Sequence, residues 1–302
     1  MSGPAGGVPD DGRQAVIGGL FGASAFLIWG LIPILFKQIA YVPALEILAH
    51  RIVWAAVLMA LLAAAVGGNR RVRNSLANRH VLGALAVSAT AVAINWLVFI
   101  WAVNHARVLE TSLGYFMNPL VNVVFGVAFL GERLRMMQWL AVGLATAGVA
   151  IMAMGHGALP WVALTLAISF GLYGLMRKIT PVDPISGLLI ETVMLAPAAL
   201  GYLLWLRHAG EGAFLGLDSR TDGLLVATGI ATAVPLMLFA VAARRVRLVT
   251  LGFIQYLAPS TSFLLAVFLF GEPFTPALQA TFAFVWAGLA LYSFDAARGR
   301  ER

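Results

Sequence analysis

Three ionisable residues, Glu46, His50 and Arg51, share one short stretch of an otherwise apolar segment, and Glu191 stands alone in another. A charge at the centre of a bilayer costs about 2.5–3.5 kcal/mol on insertion scales, so such residues face a cavity or a partner. Glu46 and His50 are four residues apart and occupy one helix face. Arg51 is turned by about 100° from His50. Groups of this kind can hold an ionic substrate or pass a proton. The competing role is an ion pair, Arg51–Glu191 or Arg51–Glu46, that ties the helices together. Glu46 lies near the outer mouth and also fits an interfacial position.

Further polar and aromatic residues fall at similar depth. Asn95 and Trp96 lie in the middle of one apolar run, Asn118-Pro119 with Asn122 in another, and Gln255-Tyr256 with Pro259 in a third. A proline inside a span frees a backbone carbonyl and kinks the helix. Freed groups of this sort are tolerated where they line a cavity. Pro119 and Pro259 are therefore expected at gating bends. Trp29, Tyr115 and Tyr173 are deep enough to line an amphipathic pocket together with Trp96. Helix–helix hydrogen bonding by Asn and Gln, and core packing of the aromatics, are the structural alternatives.

The elements that must carry these residues follow from composition. The chain has 302 residues, 61% hydrophobic and 11% charged, against about 25% charged in a soluble domain. Mean hydropathy is +0.91. With so little charge a soluble fold could not be covered, and the bilayer is the solvent that fits. Ten apolar runs approach the roughly 20 residues a helical span requires: 15–36, 44–66, 82–103, 109–130, 137–154, 159–176, 185–206, 223–243, 249–270 and 276–294. They do not alternate as barrel strands would. Residues 1–14, rich in Gly, Pro and Asp, read as a short cytoplasmic tail rather than a signal peptide, and 295–302 as a second tail.

The formal charge of +7 is a topology signal rather than a nucleic-acid footprint, because the basic residues sit in short gaps between spans. With the N-terminus inside, Arg13, Arg70, Arg71, Arg73, Arg79, Arg133, Arg135, Arg177, Lys178, Arg244, Arg245, Arg247, Arg298, Arg300 and Arg302 are cytoplasmic. Only Lys37, Arg107, Arg207 and Arg220 are outside. This bias puts both termini in the cytoplasm.

Shifted by 140 residues, the chain also matches itself. Pro119 meets Pro259, Gly131-Glu132 meets Gly271-Glu272, Phe99 meets Phe239, Arg107 meets Arg247 and Gly148 meets Gly288. Earlier in each half Pro43 corresponds to Pro184, which sets His50 against Glu191. Two halves, 15–154 and 159–294, with five spans each must lie inverted in the bilayer, an architecture that recurs in transporters. Glu132 and Glu272 are placed to cap the start of the next helix.

Cysteine is absent, so disulfides and thiolate metal sites are excluded. No P-loop, H-E-x-x-H or G-x-S-x-G motif occurs. His105 and His156 lack partners that suggest a metal, and Ser24, Ser88, Ser112 and His50 offer no clear nucleophile–base pair. No cofactor is expected. A transporter of a small molecule is the leading expectation, ahead of a structural or regulatory membrane subunit and of an intramembrane enzyme.

Several stretches resemble the RarD family, in the EamA branch of the drug/metabolite transporter superfamily. They are Leu45-Glu46-Ile47-Leu48-Ala49-His50-Arg51, Ser112-Leu113-Gly114-Tyr115-Phe116-Met117-Asn118-Pro119-Leu120, Phe129-Leu130-Gly131-Glu132, Gln255-Tyr256-Leu257-Ala258-Pro259 and Phe270-Gly271-Glu272-Pro273. The likeness runs from about Gly18 to Ser293. It implies an all-α, ten-helix, 5+5 inverted-repeat transporter of the bacterial inner membrane. Its central cavity would be lined by spans one to four and six to nine, with the fifth and tenth as scaffold. The expected cargo, which the resemblance leaves undefined, is a small amphipathic metabolite or drug, moved outward by proton coupling or exchange.

Overall fold

A computed structural model describes residues 11–104, 108–154, 161–269 and 276–298. All regular structure among them is helical. The helices are α1 (Asp11–Lys37), α2 (Ala44–Ala65), α3 (Asn69–Ala77), α4 (Arg79–Asn104), α5 (Val108–Leu130), α6 (Met136–Met154), α7 (Trp161–Ile179), α8 (Pro184–Ala209), α9 (Ser219–Arg245), α10 (Leu248–Gln255), α11 (Leu257–Leu264) and α12 (Pro276–Arg298). A π-helical turn, Leu265–Leu269, extends α11. Nine stretches among the described residues are long and apolar enough to cross a membrane. Their exposed side chains are apolar, as at Leu61, Val124, Leu204 and Phe268, which suits lipid contact. The tenth expected span is α12. It is helical from Pro276 to Arg298.

Helix ends follow local chemistry. Asp183 accepts from the Ser186 amide at 3.0 Å ahead of α8, with Pro184 at its first turn, and Asp218 accepts from the Thr221 amide at 2.7 Å ahead of α9. Both are N-caps. Gly210 closes α8 at φ 72°, a left-handed cap that glycine adopts without strain.

Several expectations need correction. Helix α1 begins at Asp11, inside the expected tail. The basic gap after α2 is not a plain loop: Asn69–Ala77 forms α3, with polar and basic residues filling its exposed surface. The two aligned prolines behave differently. Helix α5 runs unbroken through Pro119, whereas the ninth span is interrupted at Tyr256, three residues before Pro259. Proline at 259 has no N–H to give the Gln255 carbonyl, and α10 ends at that residue.

The helices interleave. Helix α1 packs on α9, α10 and α11; α7 on α4 and α5; α2 on α8 and α9; α4 on α8; and α5 on α10. Helices α6 and α12 pack chiefly on each other. At the centre Phe26, Trp29, Phe170, Tyr173 and Phe239 form an aromatic cluster, Tyr173 stacked on Phe239 at 5.7 Å. One close approach matters for the site. A Cβ at Gly229 of α9 would collide with Trp54 Cβ of α2 and lie 2.7 Å from its carbonyl carbon. Glycine there lets α9 lie directly on α2.

Candidate functional site

One turn from the Gly229–Trp54 crossing, Arg51 projects from α2 into the bundle. Its Nε donates to Thr232 Oγ1 of α9 at 3.0 Å. Thr232 in turn donates to the Thr228 carbonyl at 2.7 Å, which fixes the hydroxyl as an acceptor toward Arg51. The guanidinium lies 5.3 Å from the ring of Phe36 on α1 and 5.2 Å from that of Trp96 on α4, within the range of cation–π attraction. Tyr115 of α5 interacts with it electrostatically. Five helices thus surround this charge. Yet Arg51, Phe36 and Trp96 keep accessible surface, and Tyr115 is 41% exposed. Arg51 thus keeps an accessible side among these helices.

Glu191 is elsewhere and is paired. Its Oε1 accepts from Ser88 Oγ of α4 at 2.5 Å and lies 3.5 Å from Arg177 Nη1 of α7. Arg177 also donates to the Pro184 carbonyl at 3.3 Å. Read from sequence, Arg177 is a cytoplasmic loop charge; it is 1% exposed. Gly187 makes room for it, since a Cβ there would overlap the guanidinium. Neither ion pair considered for Arg51 forms: Glu191 is held by Arg177, and Glu46 by the backbone amides of Ala213 and Phe214. Glu191 Oε2, Arg177 Nε and Tyr173 Oη have no hydrogen-bond partner.

Glu46 and His50 share a face as expected, but a different one from Arg51. Glu46 Oε1 accepts from the backbone amides of Ala213 and Phe214 at 2.7 and 3.4 Å, pinning the loop between α8 and α9. His50 Nδ1 accepts from Trp54 Nε1 at 3.2 Å, and its ring lies 4.9 Å from that of Phe214. An indole can only donate, so a neutral His50 carries its proton on Nε2. That atom lies 4.0 Å from Glu46 Oε1. Both residues line a crevice of about 280 Å³ with Leu200, Leu203 and Arg207.

The amides cross-link helices. Asn95 Nδ2 donates to the Leu166 carbonyl at 2.8 Å and to Ser169 Oγ at 3.1 Å, joining α4 to α7. Asn122 donates to Gln255 Oε1 at 2.7 Å where α5 crosses α10. Tyr256 donates to the Phe116 carbonyl at 3.3 Å. Asn118 Oδ1 is buried without a partner. Trp29 and Tyr173 belong to the central aromatic cluster.

At the end of the bundle that holds the α5–α6 and α7–α8 connections, the helices are locked. Glu132 does not cap α6. Its two oxygens accept from the amides of Leu248 and Val249 at 2.6 and 2.9 Å, capping α10. Arg247 stands 3.8 Å from it. Lys178 donates to the carbonyls of Ala243 and Val246, and Arg244 to that of Val182. Glu272, His105 and His156 lie outside the described residues. Among the described residues no cluster of metal-ligand side chains occurs.

Sequence reasoning missed Thr232, Phe36, Ser88 and Arg177. Phe36, Ser88 and Thr232 carry no distinctive spacing. Arg177 had one signal, a spacing of fourteen from Glu191 across a short connection, which its neighbour Lys178 masked by making the pair look like a loop charge.

A many-helix apolar bundle with an accessible cation in its interior has the build of a membrane transporter. Comparison with known proteins agrees. Residues 16–154 match the EamA-like transporter family. The chain is 45% identical over 292 residues to Protein RarD of Escherichia coli, covering 97% of this chain and 99% of that one. It is 46% identical over 288 residues to an uncharacterised transporter of Vibrio cholerae, covering 94% of each. A crystal structure 21% identical in sequence superposes with a TM-score of 0.71, covering 95% of this chain and 99% of the other, a likeness of fold. The chain belongs to the RarD family of EamA-like transporters. It is a multi-pass transporter of the bacterial inner membrane.

Proposed function

We propose that the chain is a secondary exporter of small amphipathic metabolites or drugs, working by alternating access and driven by proton coupling or exchange. The halves 15–154 and 159–294 are its two inverted repeats, with ten spans in all and both termini cytoplasmic. The packing pattern supports this reading. Exchange α1 with α7, α2 with α8, α4 with α9, α5 with α10–α11 and α6 with α12. The pair α1–α9 then becomes α7–α4, α5–α7 becomes α10–α1, and α2–α9 becomes α8–α4. The pairs α2–α8, α5–α10 and α6–α12 map onto themselves.

The observation that carries the proposal is the accessible Arg51, enclosed by helices from both halves. Substrate sits against Arg51, Trp96, Tyr115 and Trp29. Glu191, held by Arg177, and His50, against Phe214, stand apart from this contact, and Asn95 and Tyr173 pack the helices around it. Asn118, Gln255 and Tyr256 line the α5–α10 crossing, with Pro119 and Pro259 at the gate. The Glu132 cap and the Lys178 and Arg244 bonds hold the cytoplasmic end shut in this state. Counterflow in proteoliposomes across a panel of metabolites and drugs tests the reading. Flux is expected for some compound and is expected to vanish in Arg51→Ala protein that remains monodisperse. Flux no greater than in empty liposomes for every compound refutes it.

A further inference from the structure

The chemistry around Arg51 narrows the substrate class, an inference that rests on the transport reading above. Arginine stays protonated at any physiological pH. A cation within a membrane needs a counter-charge or a reason to lack one. No carboxylate among the described residues pairs with Arg51. Glu191 is bound by Ser88 and Arg177, and Glu46 by two backbone amides. Among the described residues the only acceptor Arg51 finds is the neutral Thr232 hydroxyl, and it takes Nε.

What remains is the outer edge of the guanidinium, its two terminal nitrogens. They find no acceptor among the described residues. That edge matches two oxygens of one carboxylate, a bidentate geometry that lysine cannot reproduce. The rings of Phe36 and Trp96 lie 5.3 and 5.2 Å from the guanidinium carbon. Tyr115, 41% exposed, is a further aromatic neighbour coupled to Arg51 electrostatically.

An aromatic enclosure also suits cations. Here, however, Arg51 already occupies it, and a second cation would be repelled. A zwitterion would need a carboxylate for its ammonium, and none of the described ones is available beside Arg51.

We propose that the pocket takes small organic monoanions, a carboxylate on an apolar or aromatic body, with the carboxylate bridging the two terminal nitrogens of Arg51. The anion would supply the counter-charge that the protein withholds.

The test uses four probes of one shape on the full-length protein: phenylacetate, phenylacetamide, phenethylammonium and phenylalanine. Binding is read by quenching of tryptophan fluorescence, since Trp96 lies over the guanidinium, and by thermal shift. Phenylacetate is expected to bind and the other three to bind at least about 10-fold more weakly, the scale of one charge-assisted bidentate contact. Arg51→Ala should remove the preference, and Arg51→Lys should keep the sign of the preference at reduced affinity. The comparison among probes needs no variant, so poor folding of Arg51→Ala does not blunt it. Equal binding of the amide or the ammonium, tighter binding of the amino acid, or no binding of phenylacetate overturns the inference. In those cases the transport reading still stands if the counterflow panel yields flux for another class, and falls only if that panel is silent.

Discussion

Glu191→Gln should be among the most damaging single substitutions in the chain. Arg177 and Glu191 are 1% and 2% exposed and 3.5 Å apart, with Ser88 donating to the same oxygen at 2.5 Å. The isosteric amide fills the same space but leaves the guanidinium buried without an anion. Breaking one partner of a buried pair costs about 3–5 kcal/mol, a large share of the 5–15 kcal/mol that holds a typical domain together. Replacing both charges with apolar residues behaves differently: the desolvation penalty is removed with the attraction, and the change is close to neutral or stabilising. Arg177→Met with Glu191→Leu should therefore recover most of what Glu191→Gln loses, because the space over Gly187 that admits Arg177 also admits an unbranched thioether. Thermal unfolding of purified protein in detergent is the assay. The eight tryptophans provide the signal, and a thiol dye would find no cysteine. A Glu191→Gln protein as stable as the parent, or a double variant as unstable as the two singles combined, would refute the reasoning. A stable double variant that has lost flux would show that Glu191 takes part in transport beyond its pairing.

Gly229→Ala puts a methyl against Trp54 at the α2–α9 crossing; overpacking of this kind costs about 1–3 kcal/mol, and melting temperature and flux should fall together as Thr232 is pushed off Arg51. Glu132→Gln weakens the cap on α10; hydrogen bonds to a charged group contribute about 1.5–3 kcal/mol, so amide exchange at Leu248 and Val249 should accelerate while that of α6 does not. Asp218 caps α9, and its bonds from Thr221 hold its carboxyl below the ordinary carboxylate range. A depressed folded pKa gives stability that is present at neutral pH and lost as pH falls through that pKa, so Asp218→Ala should flatten the acid limb of a melting-temperature profile and leave the neutral-to-basic part parallel to the parent.

The helical membrane class was legible because it rests on run length and charge dilution, which need no tertiary information. The placement of Glu46 with His50 on one face was legible for the same reason: four-residue spacing is local. The partner of each charge was not. His50, Arg51 and Glu46 lie in a single turn and a half, yet they face the α8–α9 loop and the α1–α4–α9 interior separately. Which helix receives each face depends on crossings such as Gly229 on Trp54, and a glycine in an apolar run carries no mark of its neighbour. Glu132 shows the same limit. Its place beside Gly131 suggested a cap, and it is one, but for α10, more than a hundred residues away. The two prolines differ for a related reason. At Pro259 the chain yields at Tyr256, whereas α5 absorbs Pro119 at a crossing where a Cβ at Gly252 would sit 2.7 Å from the Pro119 carbonyl oxygen, so α10 packs directly against it.

The differences extend to residues that the sequence match between the halves sets against each other. In the register that sets Pro43 on Pro184, Glu46 falls on Gly187, His50 on Glu191 and Arg51 on Thr192. Glu46 spends its charge on loop amides, while Gly187 spends nothing and yields space to Arg177. Glu191 is neutralised by that arginine, and Thr192 is satisfied by the Leu188 carbonyl at 2.8 Å within its own helix. Glu191 and Arg177 balance each other, and among the described residues no carboxylate pairs with Arg51. Arg51 and its sequence mate Thr192 are therefore not equivalent: one keeps accessible surface and the other is closed by its own helix.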